Sequence, residues 1–299
     1  MICAENVVKK FGSFTALQNL TCKIPEGTVY GLVGSNGAGK STFMRLITGI
    51  YKPESGEIII DGEKVYDNPN TKKRIAFIPD ELFFLPHSSM DRMADLYEAN
   101  YRTFSRERYE GLAKTFGLNR KANISTFSKG MRRQATIIFA LSTMPDYILF
   151  DETFDGLDPV MRNLVKKVIY NDVTERRATA VISSHSLREL EDTCDQLALL
   201  HRGGIIFESD IQNLKTTLFK VQIAFSEEYD KSVFDGIEVL NFSKRGSVAS
   251  AIVRGDRERV RELLSARSPV LLDILPLSLE EVFVYEMEAL GYVFNEVLM

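Results

Sequence analysis

The segment Gly34-Ser35-Asn36-Gly37-Ala38-Gly39-Lys40-Ser41 fits the pattern GxxxxGK[ST]; it directly follows the apolar run Val29 to Val33 and opens a helical stretch, Lys40 to Ile50. A strand, a glycine-rich turn and a helix in that order commit this part of the chain to a layered α/β fold. Glycines let successive backbone N–H groups turn inward as an anion nest, and the helix N-terminus adds its positive end. The natural ligand is a triphosphate. In that reading Lys40 holds the β and γ phosphates and Ser41 ligates Mg²⁺, while Gly37, Gly39 and Thr42 lend backbone donors and Gly34, Ser35, Asn36 and Ala38 complete the loop.

A second apolar run, Tyr147 to Phe150, closes on Asp151 and Glu152. Two acids can simply cap a strand, but beside a phosphate loop they supply what hydrolysis lacks. Asp151 then stands beside the metal, and Glu152 orients or deprotonates the attacking water.

Composition narrows the remaining classes. The chain has 299 residues, which at roughly 150 per domain suggests two domains, and its 44% hydrophobic content supports packed cores. Lys and Arg number 37 against 41 Asp and Glu, so a net charge of -4 gives no general attraction for nucleic acid, and none is expected as a partner. Mean hydropathy is -0.09. The richest apolar stretch, Ile137 to Phe150, is interrupted by Ser142, Thr143, Pro145 and Asp146, so no membrane span is expected. Glu5, Lys9 and Lys10 near the start do not make a signal peptide, and a cytoplasmic location follows. Cys3, Cys22 and Cys194 are too scattered for a disulfide framework or a zinc site and read as reduced, mostly buried thiols.

Up to about Leu214 short apolar strands (Arg74 to Ile78, Ala178 to Ser183) alternate with helices (Asp158 to Val173, Leu187 to Thr193). Between Pro86 and Thr143 strands disappear, and Asp91 to Tyr101, Ser105 to Phe116 and Ser128 to Ser142 read as a helical insertion. Beyond Leu214, strands at Phe219 to Phe225, Gly236 to Phe242, Val248 to Val253 and Val270 to Ile274, with helices at Asp256 to Ala266 and Ser278 to Leu290, predict a small α+β domain. Ser278 and Glu281 have the spacing of a capping box, ahead of Leu279, Val282, Phe283 and Met287 at helical spacing.

With both halves of a nucleotide site in place, the intervening segments resemble the nucleotide-binding subunit of an ATP-binding cassette (ABC) transporter, over roughly Ile2 to Leu214. Phe11 matches the aromatic that stacks on adenine, and Phe127-Ser128-Lys129-Gly130-Met131 takes the place of the signature LSGGQ. Phe154-Asp155-Gly156-Leu157-Asp158 matches the loop that lines the dimer seam, and His185 the switch histidine, 33 residues past Glu152. The resemblance implies an α/β P-loop NTPase cassette over 1-214, with an antiparallel β subdomain and a helical insertion at about 86-143, followed by an accessory or regulatory α+β domain over 215-299. It also implies ATP and Mg²⁺ as cofactors and ATP hydrolysis by Glu152, His185 and Lys40. Each ATP is expected between two cassettes of a homodimer or heterodimer, where Ser128 and the Gly130 amide reach the γ phosphate across the seam.

Two departures stand out. Asp80 replaces the family's Q-loop glutamine, which puts a carboxylate near ATP and makes Asp80 a candidate Mg²⁺ ligand with altered metal dependence. Lys129 and Met131 depart from the usual glycine and glutamine, so Lys129, with Arg132 and Arg133 nearby, is either a phosphate contact or a solvated helix start. The apolar loop Glu81-Leu82-Phe83-Phe84-Leu85-Pro86 leads into the insertion, where the family receives a cytoplasmic helix of its transmembrane permease. The FSKGM signature, the compact insertion and the tail Leu277 to Phe283 are similar to the drug, antibiotic and lipid exporter branch. The expected function is thus a transport ATPase at the cytoplasmic face of the membrane. Two other readings stay open: a regulatory or sensing ABC subunit with little turnover, and a soluble ABC ATPase acting on ribosome or DNA.

Overall fold

A computed structural model describes residues 1–289. Their contacts separate into two compact units, Met1–Glu208 and a second beginning at Ser209. The break precedes Leu214 because Ile211–Thr217 forms a helix that packs with the strand Leu218–Ala224 and the helix Leu279–Ala289.

In the first unit a six-stranded sheet runs in the order Gly204–Asp210, Gln196–His201, Val29–Val33, Thr179–Ser184, Tyr147–Asp151, Ile75–Ile78. Val29–Val33 pairs in parallel with both of its neighbours, and so does Tyr147–Asp151. Every residue of these two strands is buried, as expected of parallel strands covered on both faces. Their register is what builds the site. Val33 lies opposite Ser184 and Asp151 opposite Ser183, so the residues that follow all three strands emerge at one carboxyl edge of the sheet.

A second, four-stranded antiparallel sheet has the order Phe14–Ile24, Ile2–Phe11, Ser55–Ile60, Glu63–Lys64. Periodicity does not outline these strands, because register shifts between Ala4 and Val7 and between Val7 and Lys9 break the two-residue alternation. Leu17, Leu20 and Ile58 from this sheet share one apolar cluster with Phe43 and Met44 from the helix Lys40–Ile47. The phosphate-loop helix is thereby fixed from behind.

The insertion comprises Met90–Asn100, Arg106–Thr115 and Lys129–Ser142. Ser89, Ser105 and Ser128 each cap a helix by accepting a bond from a backbone amide three residues on. Tyr97 and Tyr109 stack on Phe139 at 5.3 and 5.9 Å, which joins the three helices. Arg108 reaches out of the insertion to both oxygens of Asp172 at 2.6 Å, on the helix Pro159–Arg176.

The second unit folds around an antiparallel sheet ordered Glu238–Arg245, Val248–Arg254, Leu218–Ala224, Leu271–Pro276. Phe219, Val221, Ala251, Val253 and Leu264 form its core. The capping box closes as expected: the Ser278 N–H donates to Glu281 Oε2 at 2.9 Å, and the Glu281 N–H donates to Ser278 Oγ at 3.3 Å. The helix it opens is described to Ala289, and Leu290 lies outside the described residues.

The Asp172 carboxylate is 2% exposed, and without Arg108 it keeps Arg176 at 3.4 Å as its cationic partner. With that partner left, Arg108→Leu should lower stability by about 1–3 kcal/mol, less than a fully unpaired buried charge would cost. A urea titration of the full chain checks this, and an unmoved midpoint would mean that the pair contributes nothing.

Candidate nucleotide site

At the crown of the phosphate loop Asn36 and Gly37 are exposed, whereas Gly34 and Ala38 are buried in its walls. A Cβ on Gly34 would lie 2.4 Å from the Leu200 carbonyl oxygen, so no side chain fits there. Gly39 has φ 111°, and a Cβ on it would meet Leu17 at 2.7 Å; this conformation turns the chain into the helix Lys40–Ile47.

Lys40 is 4% exposed and its ammonium is shared by three acceptors: the carbonyls of Gly34 at 2.7 Å and Ser35 at 3.1 Å, and Glu152 Oε1 at 3.1 Å. Residues 112 positions apart are thus brought into direct contact by the two parallel strands that precede them. Ser41 donates its hydroxyl hydrogen to Asp151 Oδ1 at 3.0 Å, and Ser183 donates to the same oxygen at 2.8 Å. Burial pushes the Asp151 carboxyl above its ordinary pKa, against the lowering effect of those two hydroxyls. A hydroxyl and a carboxylate oxygen, hard and desolvated, are the donor set that suits a hard divalent cation.

Glu152 itself adopts φ 48°, ψ 31°, a left-handed conformation that is costly for a side-chain-bearing residue and is found most often at functional sites. Its backbone N–H donates to Ser183 Oγ at 3.0 Å. Glu152, Asp155 and His185 each offer one polar atom within 4.8 Å of the others. His185 Nδ1 stands 3.4 Å from Asp155 Oδ2, and Glu189 closes the group by accepting from Ser184 Oγ at 2.8 Å and pairing with Arg162 at 3.1 Å. Motif spacing pointed to His185 and Glu152; Glu189 carried no signal, since it is an ordinary polar residue of the short helix Leu187–Glu191 until the fold brings Asp155 to it.

The remaining candidates are placed as follows. Phe11 is 43% exposed, with Tyr51 edge-on at 5.4 Å and the Lys9 ammonium over its ring at 5.3 Å. Ser128 Oγ accepts from the Met131 amide, and the Gly156 carbonyl lies against Gly130. Lys129 is exposed, and Arg132 donates to the carbonyls of Ile124 and Ser125. Asp80, the candidate Mg²⁺ ligand, has its Oδ1 bound by Arg133 Nη2 at 2.5 Å, while its side chain remains 59% exposed. Arg133, near Lys129 in sequence, has a side chain that is 1% exposed and turned inward.

The fold and this site define a P-loop ATPase of the ABC type. The ABC transporter family model matches residues 17–155. The chain is similar over 95% of its length to the ABC transporter ATP-binding protein YtrB of Bacillus subtilis, with 27% identity and 97% of that protein covered. The lantibiotic transport ATP-binding protein SrtF of Streptococcus pyogenes is 32% identical over 76% of the chain and 99% of its own length. The solved structure of an ATP-binding subunit of an ABC transporter superposes with a TM-score of 0.67 at 26% identity, over 72% of this chain and 92% of that one. The chain belongs to the ABC transporter family, as an ATP-binding and ATP-hydrolysing subunit. Among the described residues no helix is long and apolar enough to cross a membrane.

The Asp155 carboxyl is pushed up to about 6, first by burial and then by the charge and hydrogen bond of Glu189, against the pull of His185. In the unfolded chain the group titrates near 3.8, so between the two values the native state holds the extra proton, and stability falls as pH rises through that window. Asp155→Asn should therefore melt higher than the parent near neutral pH, by about 2–4 °C per kcal/mol relieved in a protein of this size. The difference should vanish below about pH 4, where both states are protonated. Melting curves at the two pH values decide it.

Proposed function

We propose that this subunit drives export through separate transmembrane permease subunits by closing and opening a cassette dimer. What carries the hydrolytic part is one observation: the phosphate-loop ammonium and the Glu152 carboxylate meet at 3.1 Å, at the sheet edge where Ser41 and Asp151 also meet. In this reading ATP lies along Gly34 to Thr42 with its adenine on Phe11, and its terminal phosphates replace Glu152 as the partner of Lys40. Glu152, released from Lys40, orients and deprotonates the attacking water, and His185, held beside Asp155, contacts the γ phosphate. Ser41 and Asp151 hold Mg²⁺, which when bound offsets the phosphate charge. Ser128 and Gly130 donate to the γ phosphate of a second cassette, so that ATP joins the two and its hydrolysis releases them.

The name of SrtF places a relative in lantibiotic transport, and that supports the exporter reading for this chain. Attachment to the permease is assigned to a groove of about 580 Å³ beside the insertion. Phe83, 81% exposed, stands in it with Leu85, Met93, Leu96 and Tyr97, and Lys72 on its rim. Such a floor suits the apolar face of a short helix. Of the two aromatics in the loop, Phe83 is therefore the docking residue, while Phe84 is half-buried. The subunit then works peripherally on the cytoplasmic face, and the tail from Ser209 is an accessory module.

Glu152→Gln tests the hydrolytic assignment. Turnover should fall by about 10²–10⁴-fold while ATP still binds, so that a dimer accumulates with ATP and is read by light scattering. Unchanged turnover would remove Glu152 from the mechanism. Phe83→Asp tests the groove: co-purification with the permease should be lost at unchanged ATP affinity, and normal assembly and transport would place the contact elsewhere.

A further inference from the structure

We propose that Arg133 and Asp80 are positioning residues for hydrolysis: a buried guanidinium, neutralised by Asp80, holds the turn that carries Glu152 and ties it to the signature helix. This rests on the reading of Glu152 as the catalytic carboxylate.

Arg133 lies in the helix Lys129–Ser142, one turn beyond Ser128 and Gly130, and is among the largest fully buried side chains. Its two terminal nitrogens divide their bonds between two strand ends. Nη1 donates to the carbonyls of Glu152 at 3.1 Å and Thr153 at 3.3 Å, just past the strand Tyr147–Asp151. Nη2 donates to the Asp80 carbonyl at 3.0 Å and to Asp80 Oδ1 at 2.5 Å, two residues past the strand Ile75–Ile78. These two strands are neighbours in the sheet, with Ile78 opposite Phe150, so one planar fork staples their carboxyl ends together.

Three features of the sequence then share one cause. A buried guanidinium requires a counter-charge, and Asp80 supplies it where the resemblance led to an uncharged glutamine. A Cβ on Gly156 would lie 2.9 Å from Arg133 Nη1 and 3.2 Å from Cζ, so a side chain there would push the guanidinium out of its place. Glu152 sits in a left-handed conformation that must be held by its surroundings, and its carbonyl is bound by Arg133 while its N–H is bound by Ser183. The pair therefore sets where the Glu152 carboxylate points, and it passes any movement of the signature helix to that residue.

The test uses the full-length chain and compares Asp80→Asn, Arg133→Lys, Arg133→Gln and the double variant Asp80→Asn/Arg133→Gln. Asp80→Asn should lower kcat by about tenfold or more, with KM for ATP and the half-saturating Mg²⁺ concentration unchanged within about twofold. Arg133→Lys keeps the charge but loses the fork, and its kcat should fall similarly. The double variant also lacks the fork, so its kcat should fall no further than that of the Arg133 single variants, and because it leaves no buried charge unpaired it serves as the folded reference if a single variant is unstable. A shift of the Mg²⁺ midpoint in Asp80→Asn would make Asp80 a metal ligand and overturn the proposal, as would losses in the double variant equal to the product of single-variant losses. Glu152→Gln measured alongside separates the two levels: full turnover there would remove the catalytic assignment and the positioning role with it. Glu152 dependence combined with independent, multiplicative losses would remove the positioning role alone.

Discussion

The rest of the first unit depends on the placement of one buried cation, the ammonium of Lys40. At 4% exposure it cannot be solvated by water, so its charge must be met by the protein: two loop carbonyls and Glu152 do so. That arrangement is possible only if the phosphate loop and the end of Tyr147–Asp151 reach the same edge of the sheet, which the parallel register ensures. The antiparallel sheet has a clear mechanical part in this. By packing Leu17 and Leu20 behind Phe43 and Met44 it fixes the helix whose first residue is Lys40.

A phosphate group is a better partner for Lys40 than a carboxylate that is needed elsewhere, because it is more highly charged and is also met by the loop amides. In the proposed mechanism the ion pair with Glu152 is an element of exchange: the phosphate that takes the lysine releases the carboxylate read as its base. On the other side of Glu152 the backbone is held by Ser183 and Arg133, so the exchange is confined to the side chain. Buried charges are thus used twice here, once where a ligand is to be held and once where a turn is to be kept still.

Much of this was legible in the chain. The phosphate loop, Asp151, Glu152 and His185 could be found because local spacing and a preceding apolar strand carry the signal, and the insertion helices because each begins with a serine that caps it. The long strands Ile2–Phe11 and Phe14–Ile24 could not be outlined, since their bulges disrupt alternation. Asp80 reads in the sequence as a candidate metal ligand. Its type and neighbourhood in sequence were compatible with that role, and only the approach of Arg133, 53 residues away, shows where the carboxylate is engaged. The same holds for Asp155, whose pKa is raised first by burial and then by Glu189 in a separate helix.

The sequence by itself determined the chemistry: which residues can hold phosphate, which acids can serve a cation and water, and that the chain belongs with ABC ATPases. These follow from short segments, in which residue type and spacing dictate local backbone geometry. Tertiary structure decided which charges neutralise one another. Lys40 with Glu152, Arg133 with Asp80 and Arg108 with Asp172 join distant segments. The energy of such a pair depends on distance and burial, and neither exists until the strands and helices are packed.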